Sequence, residues 1–160
     1  MDTPNFTEMI LVLKRLIYSQ KNISLPPKGS KVTYEAESVK YNFLIDFSRC
    51  GYKKIRCTFQ LREKSNKSEI LYRFDFIGRN HPNPPGDYDL ADRNIPCPHV
   101  HLSTHPMGIA VALPLEHPMV KIAITEEDFK DIRKAFLAFL EKLNVGNRLD
   151  YSYTVNEELL

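Results

Sequence analysis

The sequence predicts an α+β protein: an antiparallel sheet, a meander, packed on an N-terminal and a C-terminal helix with one sheet face open. Three observations predict this fold. Apolar and polar residues alternate through residues 31–78, apolar residues recur at helical spacing near both ends, and the strand-like runs follow one another closely. A length of 160 residues fits a single domain over residues 1–160.

The composition excludes several classes of protein. A hydrophobic share of 42% with 26% charged residues is ordinary for a globular chain. No apolar run approaches the roughly 20 residues that cross a bilayer, and no signal peptide is recognisable. Three cysteines, an odd number, favour reduced thiols: Cys50, Cys57 and Cys97. We therefore expect a cytoplasmic protein that does not contact a membrane.

The first predicted element is a helix over residues 2–22. Thr3 can cap it and Pro4 suits its first position. Its apolar residues recur at helical spacing: Phe6, Ile10, Leu13 and Ile17.

Antiparallel strands are predicted over residues 31–78. Within "KKIRCTFQLRE", Ile55, Cys57, Phe59 and Leu61 alternate with basic and polar residues, which indicates one core face and one polar face. In "LYRFDFIG" the aromatic residues take the core face, so Arg73 and Asp75 should point away from it.

Residues 79–118 contain all five histidines and eight of the eleven prolines. Because proline cannot donate a hydrogen bond to a neighbouring strand, we expect an ordered proline-rich loop over residues 79–97. Further strands are predicted over 98–124, from "HVHLS" and "GIAVALPL".

The last helix is predicted over residues 125–145, with Thr125 and Asp128 in an acidic variant of the capping box and Gly146 at its end. Its buried stripe is Phe129, Ile132, Phe136, Phe139, Leu140 and Leu143. Residues 147–160 read as a tail that includes one extra strand at "YSYTV".

The open sheet face is the predicted site. Alternation in "HVHLS" puts His99 and His101 on one side, and we expect them beside Arg73 and Asp75 if the two strands are neighbours. Arg56 from the adjoining strand would share this face.

Three interpretations of this cluster compete. In the first, His99 and His101 bind a metal ion with Cys97, His81 or Asp75 completing the ligands. In the second, His99 and His101 are the acid and base of a metal-independent ribonuclease, while Arg73 neutralises phosphoryl charge and Asp75 orients an imidazole. In the third, the cluster is a surface ion pair without chemical function. The second interpretation requires no cofactor.

Basic residues nearby could bind the RNA backbone: Arg56, Lys54, Arg62 and His81. Residues 49–73 carry eight basic and two acidic residues, a surface that suits a polyanion or an acidic protein. The alternative function is therefore a non-enzymatic phage or mobile-element protein that binds and inhibits a host defence nuclease through this basic hairpin or the proline-rich loop.

The segments "ILYRFDFIGRNHPNPPGD" and "PHVHLS" resemble a bacterial pattern, L-x-R-x-D followed by H/N-P and P-H-x-H. It is similar to the TumE-type toxin family of toxin–antitoxin modules and to related uncharacterised bacterial and phage proteins. The matching residues are Leu71, Arg73, Asp75, His81, Pro82, Pro98, His99 and His101. The resemblance implies a toxin that acts on RNA and is neutralised by a cognate antitoxin. The insertion "NPPGDYDLADRNIPC" and the extra N-terminal strands depart from the pattern.

Overall fold

The computed structural model describes residues 5–51 and 56–155. The predicted capping residues Thr3 and Pro4, and the basic residues Lys53 and Lys54, lie outside this part of the chain. Two α-helices lie at Phe6–Leu11 (α1) and Ile132–Lys142 (α2). The fold is α+β, as the sequence predicts.

A seven-stranded antiparallel sheet dominates the fold. In sheet order its strands are β1 (Arg15–Ile17), β3 (Lys31–Glu37), β4 (Asn42–Ser48), β5 (Cys57–Glu63), β6 (Asn66–Ile77), β9 (His99–Leu102) and β10 (Leu113–Pro114). Strands β3 to β6 are consecutive neighbours, which is the predicted meander. Two small sheets complete the architecture: β2 (Asn22–Leu25) with β11 (Ser152–Val155) in parallel, and β7 (His81–Pro82) with β8 (Asn94–Ile95).

The predicted alternation decides which sheet face is covered. Cys57, Phe59 and Leu61 are buried on β5, while Thr58 and Gln60 are partly exposed. Helix α2 packs on the apolar face, where the Phe136 ring lies 4.9 Å from Phe47 and 5.3 Å from Phe59 between ring centroids. The opposite face carries the polar side chains of β3 to β6 and β9.

The predicted helix over residues 2–22 is wrong beyond Leu11, because tertiary contacts override the helical spacing. Leu16 is buried between exposed neighbours in β1, and Asn147 forms hydrogen bonds with both the N–H and the C=O of Leu16, at 2.8 and 3.0 Å.

Lys14 is buried where α1 ends, and its Nζ donates to the carbonyls of Ile10, Val12 and Leu143 at 2.7–3.0 Å. Burial lowers the pKa of Lys14 to about 7. These bonds fasten α1 to the end of α2.

The C-terminal helix is shorter than the predicted 125–145. Residues Glu126–Lys130 form a 3₁₀ helix, and α2 begins after Asp131, whose carboxylate accepts from the backbone N–H groups of Arg133 and Lys134. The predicted capping by Thr125 is therefore wrong for α2. At the other end Asn144, with φ of 58°, takes the left-handed conformation expected of Gly146.

Strand formation over residues 98–124 is limited to β9 and β10. In "GIAVALPL", Gly108–Ala110 forms a 3₁₀ turn and Ala112 is held by Asn83, which leaves only Leu113–Pro114 as a strand. The extra strand predicted at "YSYTV" is present as β11, paired in parallel with β2.

We expect Asp131→Ala to lower the free energy of unfolding by about 1 kcal/mol, the usual cost of losing a helix cap. Thr125→Ala is the matched control and should stay within about 0.5 kcal/mol of the wild type. Urea unfolding followed by circular dichroism measures both values. A larger loss for Thr125→Ala than for Asp131→Ala would contradict the assigned start of α2.

Candidate functional site

The site is formed where β6 and β9 pair. In their antiparallel register Asp75 lies opposite His99 and Arg73 lies opposite His101. Alternation along each strand turns these four side chains away from the apolar face covered by α2. The structure therefore brings together all four residues predicted to be catalytic.

The Asp75 carboxylate is the centre of the cluster. Its Oδ1 accepts hydrogen bonds from Thr58 Oγ1 and Arg73 Nε, both at 2.9 Å. Its Oδ2 lies 3.1 Å from His99 Nε2 and 3.2 Å from His101 Nε2. One carboxylate thus contacts a hydroxyl, a guanidinium and two imidazoles from three adjacent strands.

The second nitrogen of each imidazole faces a backbone carbonyl. His99 Nδ1 lies 3.1 Å from the carbonyl oxygen of Pro96, and His101 Nδ1 lies 2.8 Å from that of Ile109. A carbonyl oxygen only accepts hydrogen bonds, so each Nδ1 carries a proton. The two Nε2 atoms are then left facing the same carboxylate oxygen.

Electrostatics follow from these contacts. Burial by itself would raise the pKa of the Asp75 carboxyl, but hydrogen bonds with His101 and His99 and the Arg73 guanidinium hold that pKa well below its usual range. Burial would lower the pKa of His99, yet its contacts with Asp75 and Cys97 outweigh burial and raise that pKa to about 9. Asp75 is therefore ionised at neutral pH, and His99 is stabilised as a cation.

The two histidines are buried, whereas the sequence predicted an outward-facing pair on an open face. His99 is 2% exposed, His101 5% and Asp75 8%. The chain after β9 covers this end of the sheet: Ile109 accepts from His101, and Ala112 exchanges two hydrogen bonds with Asn83 at 2.7 and 3.0 Å. The shared face of the two histidines is as predicted, but the prediction that the face is open here was wrong, because nothing in the local alternation of "HVHLS" indicates this cover.

A small polar pocket of about 170 Å³ adjoins the cluster. Three arginines line it together with parts of the cluster: one directly before β5, one on β6 and one in the segment after β6. The lining residues that matter here are Arg56, Arg73, Arg79, Asp75, His81 and His99. Cations on several sides of a small polar pocket are typical of a site for a phosphate or another oxyanion.

A second depression of about 260 Å³ lies next to the pocket along the polar face. It shares Arg56, Thr58 and Arg73 with the pocket and adds Lys31 and Gln60. The polar face therefore continues from the pocket to Lys31 on β3, and the acidic Asp46 of β4 also lines the depression.

His81, predicted as a contact to the RNA backbone, lies in β7 near the start of the proline-rich segment. Its Nε2 lies 2.8 Å from the carbonyl oxygen of Ala110, and its ring centroid lies 4.9 Å from that of His101 and 6.1 Å from that of His99. This residue links the 79–97 loop to the chain that covers the cluster.

Other predicted residues lie elsewhere. Arg62 is held by Asp46 in a two-pronged ion pair, with Nε–Oδ2 at 2.6 Å and Nη2–Oδ1 at 2.8 Å, and does not line the pocket. Lys64 of the same basic hairpin pairs with Glu35 at 2.6 Å. Lys54 lies outside the described residues.

Sequence reasoning missed Arg79 and Thr58. Arg79 lies just beyond β6, two residues before His81, so the cluster of basic residues around "GRNH" is the signal that could have identified it. Thr58 lies opposite Asp75 in the register of β5 with β6, which a bulge shifts, and a shifted register cannot be read from alternation.

The site also contains a candidate set of metal ligands. Ligand atoms of Asp75, His99 and His101 all lie within 4.8 Å of one another. Cys97 was predicted as a third ligand beside the two histidines, but its Sγ lies 3.7 Å from His99 Nδ1, the nitrogen that points away from Asp75. Asp75, and not Cys97, therefore lies where the Nε2 atoms of the two histidines converge.

Comparison with known proteins identifies a family but no relative of known activity. Residues 1–145 match the model of a family of unknown function, DUF6978, and the chain belongs to that family. No curated protein and no solved structure matches the chain. Neither helix of the described residues is long and apolar enough to cross a bilayer.

His101→Ala should destabilise the protein by about 2–4 kcal/mol, because it leaves a cavity and removes a partner of a buried carboxylate. His117→Ala is the matched control: His117 also contacts an aspartate, Asp89 at 3.2 Å, but that carboxylate is largely exposed. Urea unfolding of both variants measures the difference. Equal stability of the two variants would show that the cluster is not buried as described.

Proposed function

We propose that this member of the DUF6978 family is a toxin-like, RNA-directed protein of a bacterial or phage mobile-element module that binds the sugar–phosphate backbone and cleaves it. One observation carries the proposal: three arginines line a small polar pocket whose wall includes Asp75 and His99. In this proposal the arginines bind a phosphate group of the RNA, and the buried Asp75–His99–His101 cluster acts on that same group.

The arginines fit the task of binding a phosphodiester. A guanidinium donates two parallel hydrogen bonds to phosphoryl oxygens and keeps its charge at any physiological pH. Arg56 and Arg79 are exposed, while Arg73 is half-buried and anchored through Nε on Asp75. The anchored arginine is thereby oriented, and the other two approach the ligand from solvent.

The Asp75–His99–His101 cluster supplies the groups that act on the bound phosphodiester. Asp75 and His99 line the pocket. His101 is not among the described residues that line it. In this proposal His101 holds Asp75 and His99 in place instead of exchanging a proton with the substrate directly, and the arginines stabilise charge that develops on the phosphoryl oxygens.

The sequence pattern gives further support. The segments that resemble the TumE-type toxins correspond to β6 with the residues after it and to β9, and these segments contribute most of the pocket wall. If the resemblance extends to function, the protein acts on RNA in the cytoplasm and is neutralised by a cognate antitoxin.

Growth and RNA cleavage test the proposal. The wild type, the double variant Arg56→Ala/Arg79→Ala and the control Arg133→Ala are each expressed from a tightly regulated promoter in a bacterial host. We expect the wild type and the control to arrest growth and, once purified, to cleave labelled RNA. The double variant should lose both activities at least tenfold with an unchanged melting temperature, since both arginines are exposed.

Two results would contradict the proposal. One is a folded wild type that neither arrests growth nor cleaves RNA; the protein would then be sought as an inhibitor of a defence nuclease that binds through the basic hairpin. The other is a double variant as toxic as the wild type, because the pocket would then play no part in the activity.

A further inference from the structure

The contacts of the two histidines require a positive charge between them and Asp75. Each Nδ1 donates its proton to a backbone carbonyl, that of Pro96 for His99 and that of Ile109 for His101. A neutral imidazole with a proton on Nδ1 has a lone pair on Nε2. Two such lone pairs would face a carboxylate oxygen at 3.1 and 3.2 Å, which is repulsive unless protons or a metal ion lie between them.

The distances fit a metal ion. Zinc binds imidazole nitrogen and carboxylate oxygen at about 2.0–2.1 Å, so adjacent ligands of a tetrahedral site lie about 3.3 Å apart. The two separations between Asp75 Oδ2 and the Nε2 atoms are close to this edge length. The three ligand atoms also lie within 4.8 Å of one another, so small side-chain shifts bring all three to one ion.

The surroundings are those of supported metal ligands. Ligating histidines donate their other ring N–H to a carbonyl or carboxylate, which fixes the tautomer and the ring orientation. Both histidines meet this condition through Nδ1. The second oxygen of Asp75 is fixed by Thr58 and Arg73, so the carboxylate presents Oδ2 alone to an ion.

The cluster is buried yet has a route to solvent. Asp75 and His99 line the arginine pocket, so a remaining coordination position is accessible to water or to a phosphoryl oxygen from there. Three protein ligands with a position left for a small molecule is the arrangement of catalytic, as opposed to structural, zinc sites.

From these observations we propose that Asp75, His99 and His101 form a binding site for a divalent first-row transition-metal ion, of which Zn²⁺ is the first to test. Oxygen and imidazole ligands suit this class of ion. The part that the ion plays in cleaving RNA rests on the proposed function, whereas ion binding does not. In that role the ion is a Lewis acid beside the phosphate held by the arginines.

Cobalt is a spectroscopic probe for this site. Purified protein is stripped with a chelator, dialysed and titrated with Co²⁺, and the visible d–d absorption is recorded before Zn²⁺ is added in competition. We expect absorption typical of a four- or five-coordinate ion that saturates at one Co²⁺ per chain and is displaced by Zn²⁺. The variants His99→Gln and Asp75→Asn should each weaken binding at least tenfold.

Two matched controls keep the result specific. Cys97→Ser removes a thiol beside His99 that faces the wrong ring nitrogen, and His117→Ala removes a histidine from a second histidine–aspartate contact; both should bind Co²⁺ as the wild type does. If a ligand variant fails to fold, the melting temperature of the wild type decides instead. It should rise with Zn²⁺ and return on chelation.

A folded wild type that takes up no Co²⁺ and shows no Zn²⁺-dependent melting temperature would overturn the inference. Binding that survives in folded His99→Gln and Asp75→Asn would overturn it as well. Ion binding without RNA cleavage would instead contradict only the proposed function. Cleavage that persists in metal-free protein would support the proposed function and overturn a catalytic part for the ion.

Discussion

The contact of the Asp75 carboxylate with three neighbouring strands is the interaction on which the site depends. Its oxygens bond Thr58 from β5 and Arg73 from β6, and they contact the two histidines of β9. A buried carboxylate is costly unless positive groups and hydrogen-bond donors surround it. The pairing of β6 with β5 and β9 brings Thr58 and the two histidines to the carboxylate, and Arg73 comes from β6 itself. The orientation of Arg73 towards the pocket follows from its bond to Asp75.

One face of the sheet stabilises the fold, and the other face carries the candidate site. On one face aromatic rings from the strands and α2 pack together, with Phe59 in contact with Phe136 and Phe139 at centroid distances of 5.3 and 5.7 Å. On the other face the same strands present their alternate residues to the pocket. Because each strand is fixed by its apolar side, the polar side chains are held in a rigid frame, which suits a binding or catalytic site.

Alternation made much of this architecture predictable from the sequence. It indicated which side chains of β6 and β9 share the polar face with Arg56, which directly precedes β5. It therefore grouped Arg56, Arg73, Asp75, His99 and His101. Their convergence could not be predicted, because a segment of 21 residues separates β6 from β9 and only tertiary contacts determine which strands pair. The burial of the histidines depends on Asn83, Ile109 and Ala112, whose contacts leave no local pattern.

The N-terminal error has a similar cause. Apolar residues from Phe6 to Ile17 fit helical spacing, yet Leu13, between α1 and β1, is 63% exposed, and Leu16 is buried between exposed neighbours in the edge strand β1. Asn147, far away in sequence, bonds the backbone of Leu16 and stabilises that strand. Long-range polar contacts of this kind are invisible to periodicity, whereas the meander of β3 to β6 depends on neighbouring segments and was predicted correctly.

The most direct test of the account is whether a phosphodiester occupies the arginine pocket. The protein is titrated with a short RNA carrying 2′-O-methyl groups, which cannot be cleaved through the 2′-hydroxyl, and the arginine side-chain Nε–H signals are followed by NMR. We expect saturable shifts at Arg56, Arg73 and Arg79 and none at Arg133 on α2. Shifts confined to Arg62 of the basic hairpin, or no shifts in folded protein, would contradict this expectation.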